Sequence, residues 1–152
     1  MVKNRTISIV CHDFRKFDIF NWVKYNALIL SKNKLICTGT TGKVVEKAMK
    51  EFSKENGIEL EINIEKKNSG PLGGDAQIAS MVVENKIDFC VFLIDDLHAN
   101  PHEADIQMLL RQCRVHNVPI ACNRYTADLI MTSDLWECDY VPEEPTYVEY
   151  KR

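Results

Sequence analysis

Apolar positions along the chain follow two periods. Five short runs read as strands: TISIVC (6–11), KLICT (34–38), ELEINIE (59–65), DFCVFLI (88–94) and PIACN (119–123). At least three are continuously apolar and rich in β-branched residues, as strands covered on both faces of a parallel sheet are. The third alternates strictly, so one of its faces is wet and it belongs at an edge. Between the runs, apolar residues recur at three- and four-residue steps. Residues 17–31 place Phe17, Phe20, Val23, Ala27 and Leu30 on one stripe. Residues 42–56 place Val45, Ala48, Met49 and Phe52 on another, and Gly57 supplies a C-terminal stop. On its opposite face Glu46 with Lys50 and Lys47 with Glu51 stand four apart, a solvated helix surface. Residues 75–86, 103–116 (Ile106, Leu109, Leu110 and Cys113 facing in) and a short segment over 125–132 complete the helices.

This alternation predicts an α/β fold: a three-layer sandwich with a mainly parallel five-stranded sheet and right-handed crossovers, as a single domain over 1–152. There is no internal repeat, low-complexity segment or linker. The tail after Tyr140, VPEEPTYVEYKR, has two prolines and no helical stripe, so it is expected on the surface or against a neighbour.

Composition narrows the class. A chain of 152 residues buries about 68–70% of its unfolded surface and needs no disulfide or metal staple. A net charge of −3 offers no basic face for nucleic acid. The opening MVKNRTISIVCH does not resemble a signal peptide, and nothing approaches the roughly 18 apolar residues of a membrane span. None of the six cysteines forms a C-x-x-C pair. Cys11, Cys37, Cys90 and Cys122 sit in or at the end of apolar runs and read as reduced, buried thiols of a cytoplasmic protein.

Ligands of open α/β sheets bind beyond the carboxyl ends of the strands. Polar residues gather there. His12 and Asp13, then Arg15 and Lys16, follow the first run. Thr38-Gly39-Thr40-Thr41-Gly42 follows the second, Ser69 to Asp75 the third, and Asp95, Asp96, His98, His102 and Asp105 the fourth. Five of the six glycines lie in two of these loops. TGTTG joins a strand to a helix. It reads either as an ordinary capping turn or as a phosphate cradle in which Thr40 and Thr41 add hydroxyls and Lys16 a charge. It is no Walker loop, since no Gly-Lys-Ser/Thr follows. In SGPLGGD, Asp75 reads as a helix N-cap or as a carboxylate held rigidly beside a reacting carbon. In DDLHANPHEAD, His102 and Asp105 share a helix face and are suited to proton transfer. His98 belongs to loop surface or site rim, and His116 to a helix end. The spacings fit no standard metal cage.

Together HD-x-x-K (His12, Asp13, Lys16), TGTTG (38–42), SGPLGGDAQ (69–77), the Asp95 strand end, PH-x-x-D (Pro101, His102, Asp105) and Leu-Leu-Arg (109–111) resemble the methylglyoxal synthase family, over about residues 6 to 135. The resemblance implies a methylglyoxal-synthase-like domain of Rossmann/flavodoxin-like topology. It implies a lyase that converts dihydroxyacetone phosphate to methylglyoxal and inorganic phosphate through an enediolate, with no metal and no organic cofactor. On that resemblance Asp75, His102 and Asp105 are catalytic. His12, Lys16, Thr38, Gly39, Thr40, Thr41, Ser69 and Gly70 bind substrate and phosphate, and Asp13 and Asp95 support them. A homohexamer, inhibited by phosphate in some members, is implied as well. Residues 43–68 are longer than the family pattern and Asp96 replaces a usual proline, so altered assembly contacts are expected. One competing reading is a regulatory domain of the same superfamily that binds a phosphorylated ligand without chemistry. A phospho-accepting receiver is a weaker one, since Asn123-Arg124 stands where a receiver needs lysine.

Overall fold

A computed structural model describes residues 4–147; the readings made on residues 1–3 and 148–152 lie outside them. Five strands, β1 (Thr6–Cys11), β2 (Lys34–Cys37), β3 (Ile64–Lys66), β4 (Phe89–Leu93) and β5 (Ile120–Ala121), form one sheet in the order β3-β2-β1-β4-β5. Every ladder is parallel. The central strand β1 is apolar on both faces because both are covered. Ile7, Ile9 and Cys11 pack beneath α1 (Lys16–Tyr25), α3 (Gly39–Asn56), α6 (Arg124–Met131) and α7 (Asp134–Glu137). Val10 and Phe92 face α4 (Gly74–Val83) and α5 (Glu103–Val115).

The chain winds outward from β1 to β3, then returns to place β4 on the other side of β1. The carboxyl ends of β1 and β4 are therefore a topological switch point, where the crossovers part and leave a crevice.

Several local features differ from the sequence pattern. The third strand is only Ile64–Lys66. Leu35 of β2 pairs with Ile64, so residues 59–63 run past the start of β2 and find little ladder to join. Their alternation still packs Leu60 and Ile62 against the core, and β3 is an edge strand. The first helix is broken: α1 stops at Tyr25 and a short α2 (Ala27–Leu30) follows. Asn26, buried between them, donates its side-chain amide to the Trp22 carbonyl at 2.9 Å, competing with the helical ladder. The buried stripe of α1 runs through Ile19, Trp22 and Val23, while Phe17 is 77% exposed. The helix of the TGTTG region begins at Gly39, three residues earlier than the apolar stripe indicates, so that motif forms its first turn. Gly57 closes it in the left-handed conformation, φ +60°. All six cysteines are free; Cys113 is buried with Cys11, Cys37 and Cys90, but Cys122 is exposed, because β5 ends at Ala121. The tail to Tyr147 is irregular, and its Tyr147 hydroxyl donates to the Val115 carbonyl at 3.0 Å.

Glycine placement in the loop before α4 follows from close packing. A β-carbon on Gly74 would lie 2.0 Å from the Asn68 carbonyl oxygen, a backbone atom. One on Gly73 would meet nothing within 4 Å, but φ there is +102°. Gly74→Ala is therefore expected to cost about 3 kcal/mol in urea unfolding, at the upper end of overpacking. Gly73→Ala should cost about 1–2 kcal/mol, from the backbone alone. Equal losses at the two positions would refute this account of the loop.

Candidate active site

At the switch point the chain leaves β1 through His12. The His12 amide donates to the Leu93 carbonyl at 3.1 Å, which fixes the residue against the end of β4. Its ring Nδ1 accepts from the Asp95 amide at 2.9 Å. An amide only donates, so Nδ1 carries a lone pair and the proton of the neutral ring sits on Nε2. That Nε2 is buried and has no hydrogen-bond partner among the described residues. Burial, and secondarily the neighbouring His102, lower the His12 pKa and favour the neutral ring.

Asp75 lies in the first turn of α4 and is fully buried. Neither carboxylate oxygen has a hydrogen-bond partner among the described residues. Gly70 explains how backbone comes so close: a β-carbon there would sit 3.1 Å from Asp75 Oδ1. His102 Nε2 stands 3.5 Å from Asp75 Oδ2, longer than a good hydrogen bond, and His102 Nδ1 is also unpartnered. Burial raises the Asp75 pKa; His102 works against this and Asp105 adds to it. The result is a carboxylate more basic than usual, poised beside an imidazole.

The opposite wall is rich in donors. The Gly39 amide is spent on the Asn68 carbonyl and the Gly42 amide on Thr38. The amides of Thr40 and Thr41 remain at the open N-terminus of α3, the positive end of an 18-residue helix. Thr38 Oγ1 donates to Thr41 Oγ1 at 3.1 Å, and Lys16 Nζ donates to Thr41 Oγ1 at 2.8 Å and to the Cys11 carbonyl. Burial lowers the Lys16 pKa. Burial also pushes the Cys11 thiol up to about 12, so it stays protonated and donates to the His12 carbonyl.

These walls enclose a cavity of about 420 Å³. His12, Asp13, Thr38, Thr40, Ser69, Gly70, Asp75, Asp95 and His102 all line it. Lys16, Gly39, Thr41 and Asp105 do not. Lys16 and Thr41 sit one layer behind, tied to the backbone of Cys11, and Asp105 acts on Asp75 through its charge. A wider groove of about 800 Å³ along α3, between Lys43 and Glu55, is a shallow charged surface whose glutamates are paired, Glu46 with Lys50 and Lys66 and both Glu51 and Glu55 with Lys24.

The MGS-like domain family matches residues 18–122. A methylglyoxal synthase of Treponema socranskii is 53% identical over 153 residues, covering 100% of this chain and 93% of that protein. One of Coxiella burnetii is 39% identical, covering 97% and 95%. The crystal structure of the methylglyoxal synthase from Elizabethkingia anophelis superposes with a TM-score of 0.79 at 39% identity, over 97% of this chain and 90% of that one. The chain belongs to the methylglyoxal synthase family.

Three cavity-lining residues escaped the sequence reading of this family member or were left as rim. Phe14 and His98 stack face to face, centroids 4.1 Å apart. Asn100 donates to the Asp95 carbonyl at 3.1 Å. In the sequence nothing marks Phe14 beyond its place two residues after His12. Among the described residues no three His, Cys, Asp or Glu side chains cluster as a metal site, and no helix is long and apolar enough to cross a membrane.

The raised pKa of Asp75 has a consequence for stability. Its ordinary value is 3.8, and the folded value lies higher. Asp75 therefore contributes stability below about pH 3.8, and that contribution is lost as pH rises through the folded pKa. At neutral pH the folded chain carries this charge at a cost. Asp75→Asn is expected to raise the urea midpoint at pH 7, with the gain shrinking toward pH 4. A variant less stable than wild type at pH 7 would contradict the assignment.

Proposed function

We infer that this chain carries out the methylglyoxal synthase reaction, turning dihydroxyacetone phosphate into methylglyoxal and inorganic phosphate. The observation that carries the reading is Asp75: buried, free of hydrogen bonds among the described residues and raised in pKa, it shares one cavity with the donor-rich mouth of α3. A basic carboxylate without partners is suited to taking a proton from carbon. The substrate phosphate sits against Thr40, Ser69 and Gly70, with the α3 N-terminus behind it and the Lys16 ammonium one layer below.

Asp75 removes a proton from the hydroxymethyl carbon, and the electron pair moves into the carbonyl to form an enediolate. The neutral His12, through Nε2–H, and His102 stabilise the developing oxyanion. A proton then passes by way of His102 from the terminal hydroxyl to the central oxyanion; the terminal oxyanion collapses to the aldehyde and the C–O bond to phosphate breaks, phosphate leaving with that electron pair. The enol left behind takes a proton on its methylene carbon and loses its hydroxyl proton to become methylglyoxal. Atoms balance with no water, oxidant or metal. Elimination requires the breaking C–O bond to stand nearly perpendicular to the enediolate plane, and a phosphate gripped at a helix mouth holds that torsion. The reading includes a cytoplasmic homohexamer inhibited by phosphate.

Phosphate release from dihydroxyacetone phosphate, with the 2-oxoaldehyde trapped by an aromatic diamine, tests it. Wild type is expected to yield both products in equal amounts, and Asp75→Asn to be slower by about 10²–10⁴-fold. The acid limb of kcat/KM should fall above pH 3.8, in the direction of the Asp75 shift. A wild-type protein that binds the substrate and leaves it intact would instead be a regulatory module.

A further inference from the structure

We propose that His98, braced by Phe14, is a positioning residue of this site: through Asp95 it holds the His12 ring in the tautomer that offers an Nε2 proton to the cavity. The proposal rests on the reaction above for its kinetic part only.

The argument starts from Asp95, which is 5% exposed and has its polar groups engaged on all sides. Its amide donates to His12 Nδ1 at 2.9 Å. Its carbonyl accepts from Asn100. One carboxylate oxygen accepts the Leu97 amide at 3.0 Å, and the other lies 2.8 Å from His98 Nδ1. Burial pushes the Asp95 carboxyl up, but the Leu97 amide and the His98 ring outweigh it and hold it below the ordinary range. The charge of Asp95 thus depends on two donors, and His98 is the only one supplied by a side chain.

His98 itself is half exposed, its side chain 54% accessible. Such a ring needs a second contact to stay in place, and Phe14 provides it. The two rings are 6° from parallel. Phe14 is 72% exposed, so the stack adds nothing to either hydrophobic core. What it does is join two loops. Phe14 follows β1 by the same turn that carries His12, and His98 follows β4 by the same turn that carries Asp95. The contacts close a ring: His12 to the Asp95 amide, Asp95 carboxylate to His98, His98 to Phe14, and Phe14 back along the chain to His12.

The chemical consequence lies at His12 Nε2. While the Asp95 amide points at Nδ1, the ring proton stays on Nε2 and faces the cavity. When Asp95 is released and its amide turns away, the Nδ1–H tautomer becomes available. Nε2 then presents a lone pair to the enediolate oxygen and repels it.

The conservative replacement follows from geometry. The Nδ2 of asparagine is as many bonds from its Cα as Nδ1 of histidine, so His98→Asn retains a donor to Asp95 without the ring, and His98→Ala retains neither. In His98→Ala we expect kcat to fall about tenfold, with the urea midpoint unchanged. His98→Asn should recover most of that loss. Phe14→Ala should lower kcat in the same direction, and the double alanine variant should be no slower than His98→Ala alone. Nitrogen NMR of His12 supplies the readout that a merely structural role would not move. In wild type Nδ1 resonates as a lone-pair nitrogen, and in His98→Ala its signal shifts toward the tautomer average. An unshifted Nδ1 in His98→Ala, or a His98→Asn variant as slow as His98→Ala, would overturn the proposal. A wild-type chain that released no phosphate would remove the reaction, and the nitrogen signals would still decide the tautomer.

Discussion

The structure turns on a carboxylate placed where it gains nothing from its neighbours. Asp75 is out of water, its two oxygens are unpaired among the described residues, and the facing main chain comes so close that a β-carbon at position 70 would lie 3.1 Å from one of them. Burial without compensation is costly. That cost is what makes the group basic, and the rest of the fold supplies it. Gly74 lets the Asn68–Ser69 backbone press against the start of α4, and the Asn68 amide is anchored by Gln77 from the same helix.

The sheet order makes such a site possible. Because β4 returns beside β1, the loops after β1, β2, β3 and β4 converge on one crevice. Each brings a different capacity: an imidazole proton from His12, helix-end donors from Thr38 to Thr41, backbone approach from Ser69 and Gly70, and acid with imidazole from Asp95 to His102. None of these is unusual alone. Their electrostatics become effective because the site is half enclosed and the dielectric is low.

Charge is layered around the cavity. The lysine is withdrawn behind the threonines and bound to the Cys11 carbonyl, so it raises the potential of the anion wall without occupying it. The two histidines stand 5.4 Å apart, edge to face. A substrate bridging the cavity meets positive character at its phosphate and a base at its far carbon, the polarity that an elimination needs.

The sequence by itself determined the layers, three of the five strands to within a residue at each end, the edge position of β3 and the loops that hold the chemistry. Those features are local: alternation, helical stripes and glycine spacing are set by neighbours a few residues away. Residues from four loops meeting in one cavity were legible only as motif, since distance along the chain says nothing of distance in space. Tertiary structure alone decided that α1 breaks at Asn26, whose side chain shares Asp128 with Trp22 across the fold. It decided that β3 is short, because ladder length depends on where β2 begins. It decided that Lys16 lies behind the wall rather than on it, and that Phe14 stacks on His98 from another loop. In each case the partner is far away in sequence, and only packing brings it within reach.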